Sequence, residues 1–102
     1  MTSVTIPNSV TSVGLSSFYG CSNLTSLTIP DSVTSIGQGA FRYCTGLTNV
    51  TIGNGVTNIG SDAFDNCSGL TNVTFQGKTL EQVQAMSDYS WGISDTSIIH
   101  VA

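Results

Sequence analysis

The sequence repeats itself every 23 residues, and that period constrains the fold more than any other feature of the chain. Residues 1–23 (MTSVTIPNSVTSVGLSSFYGCSN), 24–46 (LTSLTIPDSVTSIGQGAFRYCTG) and 47–69 (LTNVTIGNGVTNIGSDAFDNCSG) align without a gap, and 70–75 (LTNVTF) opens a fourth copy that breaks off. A unit this short cannot bury an apolar face of its own, so it must stack on neighbours of its own kind and share a continuous core with them. The expected shape is a solenoid with one coil per repeat.

The residues of one repeat say how a coil is built. In LTSLTIP, a short strand points Leu27 and Ile29 inward and Ser26 and Thr28 outward. Pro30, or Gly53 in the next copy, interrupts the strand, because proline has no N–H to donate and glycine weakens a ladder. DSVTSIG then returns Val33 and Ile36 to the core, and AFRYC places Ala40, Phe41 and Cys44 at the i, i+1, i+4 spacing of a short helical turn. Stacked coils align Val4, Leu27, Val50 and Val73 in one internal column, Ile6, Ile29, Ile52 and Phe75 in a second, and Phe18, Phe41 and Phe64 in a third.

The pattern L-x-x-[LV]-x-I-P-x-x-V-x-x-I-G-x-x-A-F-x-x-C, read at Leu24 to Cys44, resembles the BspA-like leucine-rich repeats of bacterial surface proteins. The resemblance covers residues 1–74. Repeat 1 departs from it with Met1 for Leu and Ser17 for Ala, and repeat 3 with Gly53 for Pro. It implies an α/β repeat solenoid of leucine-rich-repeat coils, each with one main short strand and a short helical turn. It also implies a non-enzymatic adhesive or protein-binding module at the cell surface or outside the cell, with no cofactor and no shared catalytic residues.

Residues 75–102 leave the repeat. Thr79 with Gln82 three residues on has the spacing of a capping box, and Leu80, Val83 and Met86 follow on one helical face. Ile98, Ile99, His100 and Val101 form a β-branched run suited to a last strand. The expectation is a solenoid over 1–74 and a helix-and-strand C-terminal cap over 75–102 that shields the last coil. Tyr89 and Trp91 read as packing within that cap, with a binding patch as the competing reading. At the other end Val4, Ile6, Val10, Val13 and Phe18 lack a neighbouring coil. They mark a candidate self-association end, through which the chain pairs with a second copy or joins a longer array or fibre.

Composition excludes several partners. Two basic residues against six acidic, for a net charge of −4, offer phosphates no cationic surface, so nucleic acid is not an expected ligand. No apolar run approaches the roughly 18–20 residues of a membrane-crossing helix, and the N-terminus lacks the basic and apolar regions of a secretory signal.

Little in the chain points to chemistry. Cys21, Cys44 and Cys67 recur at the period with no CxxC or Cys/His cluster beside them, which describes a buried thiol ladder rather than a metal site. The single histidine, His100, lies far in sequence from any cysteine. Asp31, Asp62 and Asp65 fall at turns. What is left is the outer strand face, which reads Ser3-x-Thr5, Ser26-x-Thr28, Asn49-x-Thr51 and Asn72-x-Thr74, with Thr2, Thr25, Thr48 and Thr71 beside it. This uncharged, hydroxyl-rich ladder is the candidate face for a protein or glycan ligand. A solvated sheet face, with Thr chosen for its β-propensity, would give the same composition.

Overall fold

The computed structural model describes residues 3–86 (of 3–5, the backbone), 91–93 and 96–101. Met1, Thr2, Tyr89 and the side chains of Ser3, Val4 and Thr5 lie outside the described residues. The chain winds as a β-solenoid of about four turns. Strands β1 (Ser3–Thr5), β3 (Ser26–Ile29), β5 (Asn49–Ile52) and β7 (Asn72–Phe75) each begin a coil, and β8 (Ile99–Val101) closes the sheet. All five run parallel in the order β1-β3-β5-β7-β8. Parallel pairing is possible because the rest of each coil serves as the crossover that such strands require. The register is the 23-residue period itself: Val4, Leu27, Val50 and Val73 are successive partners, as are Thr5, Thr28, Thr51 and Thr74.

The first three coils each carry a second strand that the sequence reading does not anticipate. Ser12–Val13 (β2), Ser35–Ile36 (β4) and Asn58–Ile59 (β6) pair in parallel as a separate three-stranded sheet. Val13, Ile36 and Ile59 point inward from it.

The third side of the coil departs from the expected helical turn. Residues 15–20, 38–43 and 61–66 form consecutive tight turns in which N–H groups alternate in direction. Ser16, Phe18 and Gly20 donate to Gln38, Ala40 and Arg42 of the next coil, while Ser17, Tyr19 and Cys21 donate back to Gly14, Ser16 and Phe18. A helix would need every N–H turned along its own axis; here half of them link coils. The alternation requires positive φ at two places per coil, occupied by Ser16, Gly39 and Asp62 and by Gly20, Tyr43 and Asn66. Coils also approach closely at the start of this side, where a Cβ on Gly37 would lie 2.6 Å from the Leu15 nitrogen.

Apolar columns fill the interior. Phe18, Phe41 and Phe64 stack with centroids 5.1 and 5.5 Å apart and planes 9° from parallel. Corner threonines tie the coils together: the carbonyls of Thr25 and Thr48 each accept both the backbone N–H and the hydroxyl of the threonine one coil on, Thr48 and Thr71. The Thr34 hydroxyl likewise donates to Thr11 and that of Thr57 to Thr34.

Beyond the repeats, α1 (Leu80–Gln84) is one short helix. Its start is the capping box: Thr79 Oγ1 accepts from the Gln82 N–H at 3.2 Å, and Gln82 Oε1 accepts from the Thr79 N–H at 2.9 Å. Of the expected apolar face, Val83 is buried and Met86 half-buried, but Leu80 is exposed, because the helix spans little more than one turn. A 3-10 turn (Thr96–Ile98) leads into β8. Trp91 is 1% exposed, its ring 5.5 Å from Phe75, which removes it from any binding patch.

Candidate functional site

The outward positions of the five-stranded sheet form two straight rows. One runs Ser26, Asn49, Asn72, and the other Thr28, Thr51, Thr74 and, through the pairing of β7 with β8, His100, with Ser3 and Thr5 of β1 in register with Ser26 and Thr28. Neighbours along a row are about 4.8 Å apart, the strand spacing of any sheet. Ser26, Thr28, Asn49 and His100 are exposed, whereas Thr51, Asn72 and Thr74 are half-buried. Within the rows the Thr74 hydroxyl lies 3.4 Å from Asn72 Oδ1, a long contact that leaves most of the donor and acceptor capacity facing outward.

The threonines beside the rows behave differently. Thr48 and Thr71 spend their hydroxyls on the preceding coil's backbone at 2.9 and 3.0 Å. They are therefore part of the scaffold rather than of a contact surface. The residues of the candidate self-association end are also more enclosed than an uncovered coil would suggest. Ile6 and Val13 are buried, and Val10 and Phe18 are half-buried, around an apolar hollow of about 280 Å3.

Two of the three cysteines are closed off from chemistry. All three are free thiols, with Cys44 and Cys67 buried and Cys21 partly so. Burial pushes the Cys44 thiol up and that of Cys67 up to about 12, so neither provides a thiolate near neutrality. Among the described residues no group of three or more His, Cys, Asp or Glu side chains could hold a metal ion, and no helix is long and apolar enough to cross a membrane.

One surface was not singled out from the sequence. On the turn side Tyr19 and Tyr43 meet edge to face at 5.4 Å, and Arg42 lies over the Tyr43 ring at 5.3 Å while its Nε pairs with Asp65 Oδ2 at 3.0 Å. Leu15, on the same side of coil one, is 70% exposed. The signal for this surface is where the repeat fails: Leu15, Gln38 and Ser61 share one position, Tyr19, Arg42 and Asp65 another. These two positions vary between otherwise matching coils, and Leu15 and Tyr19, their occupants in the first coil, are exposed.

Residues 1–99 match the BspA type leucine rich repeat region in six copies. A leucine rich repeat protein of T. pallidum has a similar structure, with 27% identity and a TM-score of 0.51 over 71% of this chain. A leucine-rich repeat protein from Bacteroides ovatus is 31% identical over 89% of this chain, with a TM-score of 0.48. The chain spans 47% of the first protein and 28% of the second. None of the curated proteins matches it significantly.

Proposed function

Since the chain belongs to the BspA-type leucine-rich repeat family, whose members are typically associated with bacterial surfaces and whose repeats generally bind proteins, we propose that it is a non-enzymatic protein-binding module of adhesive type. Its contact surface is the outward face of the five-stranded sheet: Ser26, Thr28, Asn49, Thr51, Asn72 and Thr74, continued by Ser3 and Thr5. The observation that carries this reading is the register, which sets uncharged donors and acceptors in two aligned rows on a rigid sheet. A surface of that kind is preorganised, so a partner orders few side chains on binding.

Residues 1–74 form the binding solenoid in this reading, and residues 75–102 close it. Trp91, Ile93 and Ile99 are buried at the C-terminal end beside Val73 and Phe75, as a capping segment should be. The module acts at the cell surface. The reading contains no chemical step, consistent with thiols held protonated by burial and a lone histidine on the outer strand face.

The test is an array of purified host, matrix and cell-surface proteins, together with glycans, probed with the native chain and with Thr28→Lys/Thr51→Lys. A protein bound by the native chain and lost by at least tenfold in the variant supports the proposal. An array with no protein ligand, binding of glycans alone, or binding indifferent to the two lysines overturns it.

A further inference from the structure

Equivalent turns follow β1, β3 and β5, at residues 7–10, 30–33 and 53–56, and the third is the loosest. The N–H of Val10 donates to the Pro7 carbonyl at 3.0 Å and that of Val33 to Pro30 at 3.1 Å, whereas Val56 reaches Gly53 only at 3.5 Å. Gly53 stands where the other two turns have proline, so no ring fixes φ at the first residue of this turn. The ends of the turn are still tied to the preceding coil. Gly53 donates to the Ile29 carbonyl at 2.8 Å and Thr57 to that of Thr34 at 2.9 Å. Between these anchors lies the pair Asn54-Gly55.

Asn54 is exposed, and its N–H donates to Asp31 Oδ1 at 2.8 Å. Among the described residues no hydrogen bond holds its side-chain amide, and none is made by the N–H of Gly55. Gly77 occupies the same position one coil on and has no side chain to lie across Asn54; a Cβ there would come within 2.8 Å of the Asn54 Cβ. The peptide joining Asn54 to Gly55 is also polarised. Half-buried Lys78 donates from Nζ to the Asn54 main-chain carbonyl at 3.2 Å. A cation on that oxygen stabilises negative charge on the same amide, so the Gly55 N–H gives up its proton more readily.

We propose that Asn54 is a site of self-modification, at which the Gly55 nitrogen closes on the Asn54 side chain with water as the only co-reactant. The Gly55 N–H loses its proton to water and the nitrogen attacks Cγ. The Cγ–Nδ2 bond breaks, and Nδ2 leaves as ammonia with a proton taken from water, so that a five-membered imide remains. Gly55 has no Cβ to hinder the attack. Water then opens the ring at one of its two carbonyls. Cleavage between Cγ and the Gly55 nitrogen gives aspartate; cleavage between the main-chain carbonyl carbon and that nitrogen gives isoaspartate, with the chain routed through Cβ and Cγ. Lys78 polarises the second carbonyl and so favours isoaspartate. Either product adds one negative charge to the chain. Aspartate suits the register, since Asp31 holds the same position one coil earlier, whereas isoaspartate lengthens the main chain of the turn by one carbon. This inference does not depend on the strand face binding a ligand.

Peptide mapping by mass spectrometry tests it, on the full chain held at neutral pH and body temperature for several weeks and then digested in acid. Asn54 is expected to gain the mass of OH replacing NH2 faster than every other Asn of the chain, and electron-transfer fragmentation to show isoaspartate as the larger product. Lys78→Gln should slow the conversion about threefold or more and lower the isoaspartate share. Lys78→Arg, which keeps a cationic donor, should restore both. A lysine that merely supports the turn would leave the product share unchanged. An Asn54 that stays unmodified, or a rate and product share in Lys78→Gln equal to those of the native chain, overturns the proposal.

Discussion

The Cys67 thiol donates to the carbonyl of Phe41, one coil earlier, at 3.0 Å, and Cys44 repeats the bond to Phe18 at 3.1 Å. The cysteine column is thus one of the lines of hydrogen bonds that join coil to coil, and its thiols must stay protonated to serve it.

That requirement sets a pH limit on the fold. Burial pushes the Cys67 thiol from 9.0 to about 12. Between those values the folded chain holds a proton that the unfolded chain has released, so stability falls as pH rises. The contribution is intact below pH 9 and lost progressively toward pH 12. Thermal unfolding followed from pH 7 to about 11.5 is expected to show a falling Tm above pH 9. The decline should be smaller in Cys67→Ala, and an equal decline in both chains would contradict the assignment.

The phenylalanine stack is a costly place to cut the core. Phe41 is fully buried and touches a ring on either side. Phe41→Ala is expected to lose about 3–5 kcal/mol in urea titration, within reach of the whole stability of a domain this size. Tyr19→Ala, at 52% exposure, should cost under about 1 kcal/mol by the same measurement.

A threonine corner can be tested without creating a cavity. Thr71→Val keeps the shape and the β-branch but removes the hydroxyl that donates to the Thr48 carbonyl. The expected loss is about 0.5–1.5 kcal/mol. The half-buried Thr74, whose hydroxyl makes only a long contact with Asn72, should tolerate the same change with a smaller loss, and the difference between the two variants is the readout.

The columns of the core were legible because each is written three or four times over, and a period shared by Val4, Leu27, Val50 and Val73 leaves no freedom in register. The second strand was hidden because two residues are too few to show alternation, and because Val33 and Ile36 are three apart, a spacing that suits a turn equally well. The expected helical turn gave way to tight turns because Ser16 and Tyr43 take positive φ, which their side chains do not announce. Of the candidate face, the outward rows could be read directly. The separate role of Thr48 and Thr71 could not, since a hydroxyl bound to the preceding coil and one turned to solvent look alike in sequence. His100 was placed on the last strand, but its pairing with Thr74 lies 26 residues on rather than 23 and escapes the period.

The most direct test of the strand-face account is amide chemical-shift mapping of the 15N-labelled chain during titration with a protein ligand taken from the array. The account predicts perturbations concentrated in residues 26–28, 49–51 and 72–74, largely unchanged by added salt, because the rows of Ser, Thr and Asn carry no charge to be screened. Perturbations centred instead on Leu15, Tyr19, Arg42 and Tyr43 would place the contact on the turn side and contradict it.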